Sequence, residues 1–160
     1  MTEDPIGPTG EESLQRRVVP ISRIVVGVDG SDNGARAVAW AAELATVTGA
    51  EVIAVHAVGL LERLPPDHPD PGYGDIAEAH RLVEGEWTLH LHAADIAFRW
   101  HVAYGQPVSL LLQVVDETSA DLVVVGTRGR RQRAALMLGS TSHQLAERSP
   151  CPVVIVPPGT

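Results

Sequence analysis

The sequence Gly126-Thr127-Arg128-Gly129, followed after nine further residues by Gly139-Ser140-Thr141-Ser142, decides how this chain is interpreted. It begins where the apolar run Leu122-Val123-Val124-Val125 ends and finishes where an amphipathic helical pattern starts. Glycines let backbone N–H groups approach an anion closely, because no Cβ stands in the way. The first N–H groups of a helix, together with its dipole, favour negative charge at the same place. A strand, a glycine-rich loop and a helix in this order predict a phosphate-binding site.

The loop is also strongly cationic, within a chain whose net charge is −8. Its arginines are Arg128, Arg130, Arg131 and Arg133. This local reversal of charge favours an anionic ligand. The alternative is structural, because turns of this kind occur in many α/β proteins that bind no phosphate, and arginine runs often face solvent. The dinucleotide and P-loop signatures are both absent. The chain contains no lysine, which also excludes lysine Schiff-base chemistry.

Composition narrows the class of protein. A chain of 160 residues fits one domain. The negative net charge argues against nucleic-acid or anionic-membrane binding, and no apolar run reaches the roughly 20 residues of a membrane span. The N-terminus is acidic and has no apolar segment typical of a secretory signal. Cys151 is the single cysteine, which permits no intrachain disulfide. We expect a cytoplasmic protein.

The chain alternates between short apolar runs and helical patterns. Residues 1–21 lack periodicity and are predicted to be a flexible N-terminal tail, and residues 22–160 a single domain. The predicted strands are residues 24–28, 52–58, 97–103, 122–125 and 153–156. The predicted helices are residues 31–49, 75–93, 108–118 and 136–148, with Ser31 and Gly49 as caps of the first and Pro107 at the start of the third. Strict alternation predicts an α/β fold, a doubly wound five-stranded parallel sheet with helices on both faces. The ligand crevice is expected at the carboxyl ends of the strands.

Three motifs together resemble the universal stress protein family. They are Gly126-x2-Gly129-x9-Gly139-Ser140, the segment Val26-Gly27-Val28-Asp29-Gly30-Ser31 at the first strand, and Pro150-Cys151-Pro152-Val153-Val154 before the last. The resemblance covers the chain from about Ser22 to Pro157. It implies a sheet ordered 3-2-1-4-5, the adenine nucleotide alpha hydrolase-like arrangement, and binding of ATP, with AMP or cyclic AMP as alternative ligands. Mg²⁺ would be held through the nucleotide.

The resemblance also implies which residues would contact the nucleotide. Those bordering the ribose and adenine are Gly27, Val28 and Asp29, with Ala57 lining the adenine. Those meeting the ribose and first phosphates are Gly126, Arg128 and Gly129, and those holding the outer phosphates are Gly139, Ser140 and Thr141.

Several of these residues have a structural alternative. Asp29 is interpreted as a contact to a ribose hydroxyl or, through water, to magnesium; the alternative is an Asx-turn that starts the first helix. Ser140 fits a helix N-cap as well as a phosphate contact. His56 is interpreted as a structural histidine rather than a catalytic base. Cys151 and the tryptophans are assigned to packing, and the histidines show no metal-ligand spacing.

The leading functional prediction is a nucleotide-binding regulatory protein that acts through its shape or through an unidentified protein partner, with no catalytic residues. The alternatives are a slow ATPase or nucleotidyl-transferring enzyme, and a nucleotide-free dimeric scaffold. The last strand, Val153–Val156, is uncharged and β-branched, and the implied order places it at a sheet edge. We therefore expect a homodimer joined along this strand. The alternative is that residues 1–21 fold back over it.

Overall fold

In the computed structural model, which describes residues 19–59, 76–128 and 138–159, parallel strands form a sheet in the order β3-β2-β1-β4-β5. The strands are β1 Arg23–Gly27, β2 Glu51–Val58, β3 Phe98–Tyr104, β4 Leu122–Gly126 and β5 Val153–Val156. The helices are α1 Asp32–Thr48, α2 Ile76–Glu84, α3 Leu89–Ala93, α4 Pro107–Thr118 and α5 Ser140–Arg148. The predicted doubly wound sheet and its order are confirmed. None of the described helices combines the length and apolarity that crossing a bilayer requires.

Two apolar cores lie on opposite faces of the sheet, because successive side chains of a strand point to opposite sides. Val26, Ala54 and Val124 pack with α1, α2 and α3 in the first core. Val25, Val55 and their neighbours pack with α4 and α5 in the second. Because helices cover both faces of the sheet, both sets of strand side chains are buried, which explains why the strand sequences are almost entirely apolar.

Both ends of α1 carry the caps that the sequence predicts. Ser31 Oγ accepts a hydrogen bond from the Gly34 N–H at 3.0 Å. Gly49 adopts the left-handed conformation (φ 74°), and its N–H donates to the Ala45 carbonyl at 2.8 Å. A glycine pays no Cβ penalty there, which explains why the helix ends at this residue.

The single helix predicted over residues 75–93 is wrong. The chain leaves the α-helix at Gly85 (φ −116°, ψ −86°), makes a 3₁₀ turn at Glu86–Thr88 and then resumes as α3. Glycine weakens a helix interior. In addition, the fully buried Thr88 donates its hydroxyl to the Val83 carbonyl at 2.7 Å, a side-chain bond that competes with regular helix.

The start of the domain is tied to the beginning of β4. The carboxylate of Asp121 accepts hydrogen bonds from the backbone N–H groups of Ser22 and Arg23 at 2.8 and 3.0 Å. Ile21, assigned to the tail by its sequence, packs against the first core. The rest of the predicted tail, residues 1–18, lies outside the described residues, as does the proline-rich segment 60–75.

Candidate functional site

The tips of β1 and β4 lie side by side, in agreement with the strand order that the resemblance implies. The two strands pair directly, with Val26 opposite Val124. Asp29 follows β1 and leads into α1, whereas Thr127 follows β4 and leads towards α5. Since α1 packs on one face of the sheet and α5 on the other, the chain departs in opposite directions from two adjacent strands. This is the topological switch point at which doubly wound sheets bind ligands.

Gly126 is required by the packing of α1. A Cβ at this position would lie 2.7 Å from the carbonyl oxygen of Asn33 and 2.8 Å from its carbonyl carbon, both backbone atoms of the first helical turn. The absence of a side chain therefore lets the N-terminus of α1 approach the tip of β4. The glycine predicted to face a phosphate also positions the helix beside it.

The G126A substitution tests this contact. We expect it to lower the free energy of unfolding by about 1–3 kcal/mol, the usual cost of overpacking, because backbone atoms of α1 must move. G59A is the matched control, since a Cβ at Gly59 meets no atom of the described residues within 4 Å. Urea unfolding measures both variants. Equal midpoints for G126A and the wild type would contradict the close approach.

The carbonyl of Thr127 joins the two halves of the glycine motif. It accepts a hydrogen bond from the Gly139 N–H at 2.7 Å, and Ser142 Oγ lies 3.1 Å from the same oxygen. Ser142 is buried, and its hydroxyl is also 3.0 Å from the Gly139 carbonyl. These contacts bring the N-terminus of α5 to the end of β4. The two separated parts of the glycine motif therefore lie together at one site.

The side chain of Thr127 is the part of the site that sequence reasoning missed. Its hydroxyl oxygen is buried and, within the described part of the chain, has no hydrogen-bond partner. A buried hydroxyl without a partner is costly, and a ligand oxygen would satisfy it. The sequence held no signal for this, because Thr127 is an ordinary member of a glycine motif. The next residue, Arg128, is half-buried.

The N-terminus of α5 differs by one residue from the predicted cap. Gly139, with an extended backbone (φ −64°, ψ 154°), is the N-cap, and Ser140 is the first helical residue. The predicted start at residue 136 is also too early, because Leu138 and Gly139 are not helical. The N–H groups of Ser140, Thr141 and Ser142 belong to the first turn, where helix geometry leaves them without intrahelical acceptors. They can therefore serve an anion.

Asp29 forms the Asx-turn that was the structural alternative. Its Oδ1 accepts hydrogen bonds from the Ser31 N–H at 3.0 Å and the Ser31 hydroxyl at 2.6 Å. A Cβ on Gly34 would lie 2.5 Å from the same oxygen. The carboxylate is therefore held against the first turn of α1, and its contact with a ligand stays a prediction.

The remaining predicted contacts lie around β1 and β2. A Cβ on Gly27 would lie 3.1 Å from a methyl of Val125 on β4 and 3.6 Å from a methyl of Leu111 on α4. Val28 is 4% exposed, with its side chain in the first core, so it would meet a ligand through its backbone. Ala57 is half-buried against the second core. Gly129 lies outside the described residues, together with Arg130, Arg131 and Arg133.

His56 has the structural role predicted for it. The carbonyl of Val28 can only accept, so Nδ1 of His56 donates to it at 2.7 Å. Cys151 is half-buried and packs against the second core, in agreement with its assignment. Within residues 19–59, 76–128 and 138–159, no group of three or more His, Cys, Asp or Glu side chains could hold a metal ion.

The fold and this crevice define a doubly wound α/β protein with a helix N-terminus at its switch point. The family model described as "universal stress protein family" matches residues 20–157. A universal stress protein of Thermus aquaticus is 33% identical over 136 residues, covering 83% of this chain and 96% of that protein. One from Mycobacterium tuberculosis is 34% identical over 144 residues, covering 83% and 94%. A solved universal stress protein in complex with cAMP is 29% identical, with a TM-score of 0.65 and coverage of 86% and 97%. The chain belongs to the universal stress protein family.

Proposed function

We propose that this protein binds ATP in the crevice between the ends of β1 and β4. The observation that carries the proposal is the hydrogen bond from Gly139 to the Thr127 carbonyl, which brings the N-terminus of α5 to the strand tip beside α1. The buried hydroxyl of Thr127 adds a polar group suited to a ligand oxygen. The cAMP complex of a relative 29% identical to this chain supports an adenine nucleotide as the ligand.

The crevice suits the two chemically different ends of a nucleotide. Gly139, Ser140 and Thr141 would hold the outer phosphates through first-turn N–H groups and hydroxyls of α5. Gly126, Arg128 and Gly129 would meet the ribose and the first phosphates. The backbone of Gly27 and Val28, the carboxylate of Asp29 and the methyl of Ala57 would border the ribose and base. Mg²⁺, if bound, would be held through the phosphates.

Calorimetric titration tests this assignment with ATP, AMP and cyclic AMP as separate ligands. Three phosphates reach more of the α5 N-terminus than one, so we expect ATP to bind most tightly. Mass spectrometry of small molecules released by heating the purified protein gives an independent readout. Absence of binding by all three nucleotides would refute the proposal.

In this proposal the protein is regulatory and does not hydrolyse its nucleotide efficiently. An unidentified protein partner in the cytoplasm would bind the nucleotide-bound and nucleotide-free forms differently. Hydrolysis needs a positioned water and usually a base or metal near the γ-phosphate. The two candidate bases near the site already make hydrogen bonds within the protein. Nδ1 of His56 donates to the Val28 carbonyl, and the Asp29 carboxylate accepts from the Ser31 hydroxyl.

We therefore expect steady-state hydrolysis of ATP with magnesium far below the typical enzyme turnover of about 10 per second. A phosphate-release assay measures it, and G139E is the control for contaminating ATPase because it alters the proposed phosphate site. Turnover near 10 per second that G139E abolishes would support the enzyme alternative instead.

We also propose that two copies pair along β5. The Val123 N–H donates to the Pro152 carbonyl at 3.0 Å, and the Thr127 N–H donates to the Val156 carbonyl at 3.2 Å. Alternate residues of a parallel strand bond the same neighbour, so Val153 and Ile155 direct their N–H and C=O groups away from β4. In the described part of the chain no strand pairs with this side of β5. An uncharged edge with free backbone groups favours a two-fold ribbon.

A further inference from the structure

The break in the helical segment after α2 places an aromatic side chain at the end of β1. Trp87 lies in the middle of the 3₁₀ turn Glu86–Thr88, which is anchored by the buried Thr88 hydroxyl on the Val83 carbonyl (2.7 Å). An uninterrupted α-helix would rotate this position to a different direction. The turn is therefore a fixed support for the indole.

Trp87 covers Gly30, the residue between Asp29 and Ser31. A Cβ on Gly30 would lie 2.5 to 2.6 Å from the indole atoms Cε2, Cζ2 and Nε1. Gly30 also has φ +72°, a conformation that L side chains rarely adopt. The rings of Trp87 and His56 make a T-shaped contact, with 72° between their planes and 4.9 Å between their centroids. The turn after β1 is thus confined by an aromatic pair.

Three contacts from different residues hold the segment from Val28 to Ser31. His56 donates to the Val28 carbonyl, and Ser31 binds the Asp29 carboxylate at 2.6 Å. Trp87 closes the remaining side at Gly30. Because Asp29 and Gly30 are adjacent, any movement of the glycine away from the indole side changes the direction of the carboxylate.

We propose that Trp87 is a positioning residue of the nucleotide site, which holds Gly30 and thereby directs the Asp29 carboxylate towards the ribose. This inference rests on the proposed function. Trp87 acts on the ligand indirectly, through the turn after β1, and it lies on the side of β1 that faces β2. The proposed phosphate site lies on the other side, which faces β4. Its removal should therefore affect recognition of the ribose more than that of the phosphates.

Calorimetry with ATP and 2′-deoxy-ATP tests the proposal on W87A, W87F and the wild type. We expect W87A to bind ATP about tenfold more weakly, or about 1.4 kcal/mol, and to lose the preference for ATP over its 2′-deoxy analogue. W87F keeps an aromatic ring on Gly30 and should restore both. W100F is the matched control, because Trp100 lies on the outer strand β3 and is 38% exposed. Equal ATP affinity in folded W87A and the wild type would overturn the proposal.

Fluorescence gives a second readout if W87A does not fold. The chain has three tryptophans, so the W40F/W100F variant leaves Trp87 as the sole emitter. Its emission should change on addition of ATP and saturate with the Kd measured by calorimetry. Unchanged emission at saturating ATP would overturn the positioning role while leaving the proposed function intact. Absence of ATP binding by the wild type would instead refute the proposed function, and this inference with it.

Discussion

The G139E variant should bind ATP at least tenfold more weakly than the wild type, a loss of about 1.4 kcal/mol or more. Gly139 is buried and caps α5, with its N–H on the Thr127 carbonyl. Its backbone angles are open to any residue, so the substitution introduces no backbone strain. A glutamate there would place a side chain and a negative charge where the phosphates are proposed to bind. Calorimetric titration with ATP measures the effect.

The G59E variant is the matched control for charge. Gly59 follows β2 at the same edge of the sheet, and within the part of the chain that the structure describes a Cβ there meets no atom within 4 Å. It adds the same negative charge without entering the proposed phosphate site, so its ATP affinity should stay close to that of the wild type. Equal loss in both variants would indicate a general electrostatic effect. Unchanged affinity in G139E would refute the placement of the phosphates at α5.

The I155P variant should convert a dimer into a monomer of 17.0 kDa. Proline removes one N–H and adds bulk on the same side of the strand. At Ile155 that side points away from β4, so the intramolecular ladder keeps its hydrogen bonds while the proposed partner loses one. Light scattering at micromolar concentration measures the mass. A wild type that is already monomeric would rule out the dimer.

The V154P variant controls for damage to the fold. The N–H of Val154 points towards β4, so proline there breaks the sheet itself and should lower the thermal midpoint much more than I155P. Lysine at Val154 is less informative, because Val154 packs against the first core while Ile155 packs against the second. A charge at either position would therefore disturb the core as well as any pairing.

Local chemistry in the sequence was sufficient to predict most elements. Ser31 and Gly49 cap the two ends of α1 as predicted, because capping depends on residues within one helical turn. The prediction of a single helix over residues 75–93 failed because amphipathic spacing does not report where a helix is interrupted. Gly85 weakens the helix interior, and the Thr88 hydroxyl bonds the Val83 carbonyl in place of a regular helix.

Part of the candidate site could likewise be predicted from the sequence, and part could not. The sequence by itself determined the alternation of strands and helices and the glycine-rich junction after β4, because these follow from periodicity and short-range spacing. The sheet order was implied by the resemblance of its motifs to the universal stress protein family. Only the tertiary structure decided that Gly126 accommodates the backbone of Asn33, that Trp87 covers Gly30 and that the Thr127 hydroxyl is buried. The first two are contacts between segments that are distant in sequence, and the burial of a single hydroxyl likewise depends on the folded chain around it.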